Sequence, residues 1–274
     1  MGRGLASFTD NTNFATSFVY YVVDTTKIDL LFSNAGAIGA GSAEAQTGAV
    51  GNGLSGSYAF GSRGDLGLLY DAVATVGQFT SSSGTISAYV NDSMQLGNYS
   101  TVSYTGTYTT QPNGRVAVSL NSGAFQEVFW MVNPSRAFFL VNNPSNVEDG
   151  AADLQTVPTF AASTLKGQFA MVMDGIDLSP EILARIGTAQ FDGTSKLTIN
   201  ELVNASNSGN GAQSPPGGTL SGPYAVAANG RAVGSLSNAL GGLTLVMYAV
   251  SGSDAYVLQV DSGTNTSGMI ELQH

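Results

Sequence analysis

The stretch Val102-Ser103-Tyr104-Thr105-Gly106-Thr107-Tyr108, followed closely by Asn113-Gly114, decides the fold class of this chain. Its residues alternate with period two, as the two faces of a half-buried strand require. Asn-Gly is the strongest short hairpin signal, because both central residues of a type I′ turn take positive φ. The chain is therefore expected to turn back there into a second antiparallel strand, and Asn229-Gly230 predicts the same hairpin later.

This hairpin belongs to a unit that is copied along the chain. Residues 19–46 align without a gap with 128–155, and these align with 246–273. The three copies share matched positions: Val19, Val128 and Val246; Tyr21, Trp130 and Tyr248; Leu31, Leu140 and Leu258; Gly41, Gly150 and Gly268; Gln46, Gln155 and Gln273. The upstream half of the unit occurs only twice, so we expect a partial unit at 1–48 and complete units at 54–157 and 165–274.

Within a complete unit, short alternating runs are separated by turn residues. We predict strands at 125–132, 136–142 and 150–155, and their counterparts at 243–250, 254–260 and 268–273. Antiparallel neighbours joined by short loops form a meander, and about eight such strands close into a small barrel or a two-layer sandwich. The predicted fold is therefore all-β, with tandem antiparallel meander units of about eight strands each, preceded by a half unit.

Two segments depart from the strand pattern. Ser179-Pro180 places an N-cap serine before a proline at the first helical position, and an apolar stripe follows, so we predict one short helix over 179–186. Residues 204–218 contain Asn-Ser-Gly-Asn-Gly and Pro-Pro-Gly-Gly, which predicts a long polar loop in the second complete unit. A loop of this length is either a surface excursion or a contact site.

Composition limits the classes of function. Only 10% of the 274 residues are charged, and a net charge of -10 opposes nucleic-acid binding. The chain has no Cys and its one His is His274, which removes most catalytic and metal-binding templates. Its sequence has no apolar run of the roughly 20 residues that a membrane-spanning helix needs. We predict no enzyme activity, no cofactor and no catalytic, cofactor-binding or metal-binding residue.

The first residues match the middle of a hairpin in the later copies. Gly2-Arg3 stands where the complete units have Gly114-Arg115 and Gly230-Arg231. We therefore expect the natural protein to continue upstream, with further units and the export signal. The alternative is that a partner completes the half unit, because an open sheet edge invites strand addition.

Two motifs with acidic residues suggest binding sites, but the repeat argues against the first and the residue spacing against the second. Arg63-Gly64-Asp65 spells an adhesive tripeptide and is expected between two strands. Its aspartate matches Asp177, where the tripeptide is absent, so a turn-forming aspartate explains both copies. Asp174, Asp177 and Glu181 offer carboxylates to Ca²⁺, but they lack the spacing of a calcium loop.

The remaining candidate residues favour structural interpretations. Glu44, Asp153 and Glu271 each precede a Gln by two residues, which is typical of a polar pair at a strand end. The acids Asp71, Asp92, Glu127 and Glu201 show no spacing that marks a catalytic carboxylate pair. Trp130 is predicted as a core or barrel-wall aromatic, with a ligand platform as the alternative. Four glycosylation-like patterns are interpreted as loop-like: Asn91-Asp92-Ser93, Asn98-Tyr99-Ser100, Asn204-Ala205-Ser206 and Asn265-Thr266-Ser267.

A family resemblance rests on five short elements of the first complete unit. These are Leu54-Ser55-Gly56-Ser57-Tyr58-Ala59-Phe60, Gly77-Gln78-Phe79, Gly106-Thr107-Tyr108, Asn113-Gly114-Arg115 and Ala152-Asp153-Leu154-Gln155. Together they resemble the Gly-, Ser- and Thr-rich β-modules repeated in large secreted or surface proteins of bacteria, which often accompany immunoglobulin-like domains. The resemblance covers nearly the whole chain and implies an extracellular or envelope location without catalytic residues. The second complete unit departs from it at Gly222-Pro223-Tyr224 and in its long loop.

These observations predict a non-enzymatic, secreted or surface-displayed repeat protein that acts as a stalk, adhesin or matrix component. One alternative is a set of lipocalin-like barrels that enclose a small apolar ligand. Others are a strand-complemented subunit of a surface fibre, a porin-like membrane barrel and a carbohydrate-active enzyme. The expected partners are a second copy, through the open edge of the half unit, or a surface carbohydrate or protein.

Overall fold

The computed structural model describes residues 2–9, 11, 15–33, 39–65, 72–142, 146–177, 182–205, 219–239 and 241–273. The chain divides into two units, Met1–Gly48 and Ala49–His274. In the described ranges the chain forms strands joined by short connections, with single 3-10 turns at Val50–Asn52 and Asn121–Gly123.

The first unit is a four-stranded antiparallel meander. Its strands are β1 (Arg3–Thr9), β2 (Ala15–Val22), β3 (Lys27–Phe32) and β4 (Ala40–Glu44). The strand order is β1-β2-β3-β4, so β1 and β4 are the two edges of the sheet. Val19 of β2 lies opposite Leu5 on one side and Leu31 on the other, which fixes the register of the sheet.

The second unit begins with a closed eight-stranded barrel, here called the first barrel. Its strands are β5 (Gly56–Asp65), β6 (Ala72–Ser82), β7 (Thr85–Gln95), β8 (Asn98–Thr110), β9 (Arg115–Leu120), β10 (Phe125–Asn133), β11 (Arg136–Val141) and β12 (Val147–Leu154). Each strand pairs with its sequence neighbour, and β12 closes the barrel against β5 from Val147↔Asp65 to Leu154↔Tyr58. All of these pairs are antiparallel, as the meander predicts.

The second barrel repeats this arrangement. Its strands are β13 (Lys166–Asp177), β14 (Ile182–Asp192), β15 (Lys196–Ala205), β16 (Leu220–Val226), β17 (Arg231–Ser237), β18 (Gly242–Ala249), β19 (Asp254–Gln259) and β20 (Thr264–Leu272). Here β20 closes against β13, from Phe169↔Leu272 to Asp177↔Thr264. The predicted all-β fold of tandem eight-stranded meanders is confirmed, and of the two architectures left open the chain adopts the barrel.

A close approach of strands explains the repeated glycine of the alignment. Gly150 on β12 lies against the carbonyl of Gly61, and Gly268 on β20 lies against the carbonyl of Val172. Any Cβ at either position would overlap the neighbouring backbone, so only glycine fits where each barrel closes. Gly41, the matching residue of β4, has no atom of the described residues within 4 Å of the same position, apart from its chain neighbours, because the sheet ends at β4.

The Asn-Gly hairpins join consecutive strands as predicted, but with a different turn. Gly114 and Gly230 have φ of 82° and 89°, whereas Asn113 and Asn229 do not take positive φ. The N–H of Gly114 donates to the carbonyl of Gln111, which closes a turn one residue earlier than a type I′ turn would. A turn followed by one left-handed glycine is the three-residue hairpin with a bulge. The prediction of a type I′ turn was therefore wrong in detail.

The predicted helix over 179–186 is wrong where it can be compared, because Ile182 to Ile186 lie in β14 and residues 179–181 are outside the described residues. Ile182 and Ile186 are more than 60% exposed while Leu183 is buried, so the apolar stripe serves both faces of a strand. Hydrogen-bonding partners on β13 and β15 override the local helix signal. The predicted loop over 204–218 begins too early, since Asn204 and Ala205 end β15; residues 206–218 lie outside the described residues.

Large side chains fill both barrels. Nine aromatic residues lie inside the first barrel: Tyr58, Phe60, Phe79, Tyr89, Tyr104, Tyr108, Phe125, Phe129 and Phe139. Their rings pack closely, with centroids 5.1 Å apart for Phe60 and Tyr89 and 5.0 Å apart for Phe129 and Phe139. The second barrel uses more aliphatic and methionine side chains, among them Met171, Met173 and Met247.

Candidate functional site

The first barrel contains two buried acids on neighbouring inward positions. Glu127 lies on β10 opposite Val141 of β11, and Glu148 lies on β12, the next strand of the barrel; they are 2% and 5% exposed. The Tyr89 hydroxyl donates to Glu127 Oε1 at 2.6 Å, and Ser62 Oγ donates to Glu148 Oε2 at 2.9 Å. No described residue hydrogen-bonds Glu127 Oε2. Burial raises the pKa of Glu127 to about 8, so its carboxyl is mostly protonated at neutral pH.

The second barrel holds its buried acid differently. Glu201 of β15 is 5% exposed and accepts a hydrogen bond from Arg185 Nη1 of β14 at 2.7 Å. Burial raises the pKa of this carboxyl, while the guanidinium of Arg185 acts in the opposite direction. The arginine thus supplies a compensating charge that Glu127 does not have in the described residues.

A fourth buried acid lies between the two barrels. Asp92 of β7 is 0% exposed and receives two hydrogen bonds from Arg231 of β17, at 2.7 and 2.9 Å. Tyr248 of β18 donates to it at 2.6 Å and Thr101 of β8 at 2.6 Å, and Tyr99 donates as well. Burial acts to raise the pKa of Asp92, but the hydrogen bonds outweigh it and hold the pKa below its ordinary value.

This network sits in a packed interface, here called the seam. Its apolar part joins Ala59, Ala74, Val76 and Met94 of the first barrel to Val246, Tyr248, Val250, Tyr256 and Leu258 of the second. Beside it, the Tyr256 hydroxyl donates at 2.5 Å to Asp153, which also pairs with Arg136. Gln155 donates to the carbonyls of Asn229 and Ala249 at 3.0 and 2.8 Å. The seam therefore combines apolar packing with side-chain hydrogen bonds between the two barrels.

The outward faces of the two barrels show what the seam does to matched residues. Tyr248 and Leu258 are fully buried in the seam, whereas Trp130 and Leu140, their counterparts in the first barrel, are 45% and 47% exposed. Trp130 is thus on the outside of the barrel wall and not in the core. The same strand pair is a solvent-facing wall in one copy and a docking face in the other.

The first unit carries an open apolar surface, here called the open face. This surface lines a cavity of about 730 Å³. The lining residues are Ala6, Phe8, Thr16, Phe18, Tyr20, Ile28, Leu30, Phe32 and Ala43. None of these side chains is charged. Phe8 is 64% exposed and Phe32 38% exposed.

Several sequence-based expectations about sites are corrected by the strands. Arg63-Gly64-Asp65 is not a loop between strands but the end of β5, and Arg63 forms an ion pair with Asp174. The four glycosylation-like patterns are not loops either: they lie in β7, β8, β15 and β20, with Ser206 outside the described residues. Their Asn, Ser and Thr side chains fit strand faces, which pattern alone does not distinguish from loops.

The acids of the sequence analysis have mixed outcomes. Glu44, Asp153 and Glu271 do lie at the ends of β4, β12 and β20. Asp71, Glu181 and His274 lie outside the described residues, as does the side chain of Asp177. The buried roles of Asp92, Glu127 and Glu201 were missed, although Glu127 gave a usable signal: it interrupts the inward apolar alternation of Phe125, Phe129 and Met131.

The described residues contain no group of three or more His, Cys, Asp or Glu side chains that could hold a metal ion. Among those same residues, no helix has the length and apolarity that crossing a membrane requires.

Comparisons with known proteins add little beyond this description. No family model matches the chain, and no curated protein matches it. A solved structure that it resembles is a protein of unknown function from the DUF3598 family of Nostoc punctiforme. That resemblance covers 80% of this chain and 96% of the other at 12% identity, with a TM-score of 0.26.

Proposed function

We propose that this chain is a non-enzymatic structural repeat protein whose two barrels form one rigid spacer. The seam carries this proposal, because Asp92 is completely buried and its bonds come from both barrels. A buried carboxylate that loses its cationic partner destabilises a protein strongly, so the barrels are held in one relative position. A flexible pair of domains would instead be joined by a wetter and more polar interface.

The filled interiors favour this function over a lipocalin-like ligand barrel. A barrel that binds a small molecule keeps an internal cavity of several hundred Å³. In the described part of the first barrel, nine aromatic side chains occupy that space. The ligand alternative therefore requires these rings to move apart, at a cost of buried aromatic contacts.

We place the spacer outside the cell, as part of a stalk, adhesin or matrix layer. Support comes from the low charge, the absence of Cys and the Gly-, Ser- and Thr-rich composition. These features resemble the β-modules of bacterial surface proteins. The net charge of -10 also limits unspecific association.

Spin-label distances test the rigid spacer. Since the chain has no Cys, labels at Thr105→Cys of the first barrel and Ser235→Cys of the second report one distance. We expect a distribution as narrow as that of a control pair within the first barrel, Thr105→Cys and Gln126→Cys. A broad distribution for the first pair alone would contradict the rigid spacer.

Surface proteolysis of source cells tests the proposed extracellular location. Protection of the chain from the protease, together with cytoplasmic markers, would refute that location.

A further inference from the structure

The open face of the first unit has matched surfaces in both barrels, where the equivalent residues are covered by other strands. Tyr20 and Leu30 correspond to Phe129 and Phe139 of the first barrel, which are 1% and 4% exposed. There the cover is the inward face of β5 to β8, which completes the eight-stranded barrel. The first unit therefore has the architecture of one half of such a barrel.

The edge at β4 is shaped to receive another strand. Gly150 and Gly268 are glycine because the closing strands β5 and β13 come too near for a Cβ. The matched residue Gly41 is also glycine, although no described residue beyond its chain neighbours lies within 4 Å of where a Cβ would stand. Within one unit this glycine has no packing reason, but a strand added at β4 would supply one.

A second copy of the chain fits this edge by symmetry. β1 and β4 are antiparallel, since the four strands alternate in direction. Rotation by half a turn about the barrel axis therefore places the partner's β1 antiparallel to β4, and the partner's β4 antiparallel to β1. Both edges close at once, which is the self-complementary arrangement of a twofold dimer. The strands β5 to β8 and β13 to β16 are already used inside closed barrels.

The size and charge of the open face also suit a second copy. Each half contributes four aromatic side chains, Phe8, Phe18, Tyr20 and Phe32. Two halves supply eight, close to the nine that fill the first barrel. Phe18 stands where the first barrel has Glu127, so the joined interior would bury no carboxyl at that level.

We propose that two copies of this chain pair their first units, β1 to β4 with the partner's β1 to β4, into one closed eight-stranded barrel. The dimer joins two pairs of barrels through a third, shared one. It does not depend on the surface location proposed above, and it accounts for both open edges and the open face together.

Two substitutions on β1 of the full chain test the shared barrel. Phe8 points into the open face and Leu5 points away from it, and they are 64% and 70% exposed, so neither stabilises the single sheet by burial. Analytical ultracentrifugation from low to high micromolar concentration should show a dimer for the wild type. Phe8→Glu should raise the dissociation constant at least about 100-fold, because it buries two carboxylates. Leu5→Glu should leave it within about threefold, as expected for an exposed site.

Hydrogen exchange of the unmodified chain gives an independent readout. Closure pairs the outer backbone N–H groups of β1 and β4, so their exchange should slow as the dimer forms. A wild-type chain that stays monomeric overturns the proposal. So does a dimer whose β1 and β4 amides exchange as fast as those of the monomer, or one that Leu5→Glu disrupts as strongly as Phe8→Glu.

Discussion

In the first barrel a tyrosine hydroxyl is the hydrogen-bond partner of the buried Glu127, whereas in the second barrel an arginine pairs with the buried Glu201. On the outer faces the second barrel again supplies the arginine: Arg231 pairs with the buried Asp92 of the first barrel, while its counterpart Arg115 has no carboxylate partner among the described residues. Strand order and closing glycines are the same in both copies. The repeated positions thus give both barrels the same backbone fold. The side chains of the two barrels differ according to what covers each face.

The largest difference is expected between Arg231 and Arg115. Arg231→Met leaves Asp92 buried without its cation, and we expect a loss of about 3–5 kcal/mol in the free energy of unfolding. Arg115→Met should change it by about 0.5 kcal/mol or less, because the site is partly exposed and has no carboxylate partner among the described residues. Denaturant unfolding at neutral pH measures both. Equal losses for the two variants would mean that the ion pair of Arg231 in the seam does not stabilise the chain more than the partly exposed Arg115 does.

A second prediction concerns the pH dependence that Glu127 creates. Its pKa is about 8 in the folded chain against an ordinary value of 4.5, so the unfolded state releases its proton first. The contribution of Glu127 to the free energy of unfolding is therefore fully present below about pH 4.5 and is lost as the pH rises to about 8. Glu127→Gln removes this pH dependence. It should raise the free energy of unfolding by about 3 kcal/mol at pH 7, since each pKa unit corresponds to about 1.4 kcal/mol.

Replacing the buried acid of the second barrel in the same way should have a smaller effect. Burial raises the pKa of Glu201 too, but Arg185 opposes this shift, so Glu201→Gln should gain less free energy of unfolding at pH 7 than Glu127→Gln does. Unfolding curves at pH 4 and pH 7 for both variants make the comparison. A gain from Glu201→Gln as large as the gain from Glu127→Gln, or a destabilising Glu127→Gln at pH 7, would show that the two acids are not held in different ways.

The last comparison is at a glycine in the seam. A Cβ at Gly61 would overlap the ring of Tyr256, so Gly61→Val should cost about 1–3 kcal/mol of unfolding free energy. Its counterpart in the second barrel is Val172, which is 55% exposed, and Val172→Ala should stay within about 0.5 kcal/mol. Thermal unfolding measures both changes. A neutral Gly61→Val would indicate that the seam opens easily.

Sequence reasoning succeeded where neighbours along the chain carry the information. Alternation and the Asn-Gly pairs predicted the strands on either side of each hairpin, and the aligned glycines revealed the copies. It failed at Ile182 to Ile186, where one apolar stripe suits a helix and a strand equally until β13 and β15 supply hydrogen bonds. The glycosylation-like patterns failed for the same reason, because Asn, Ser and Thr are common both in loops and on strand faces.

Local features of the chain were enough to predict the strand class, the copied unit and its shorter first copy, because period two, turn residues and repeated spacings are local properties. The choice between barrel and sandwich needed the folded structure, since closure depends on whether β12 meets β5 and β20 meets β13. It also decided which acids are buried. Asp92 and Arg231 are 139 residues apart, and no local pattern can bring them within 2.7 Å.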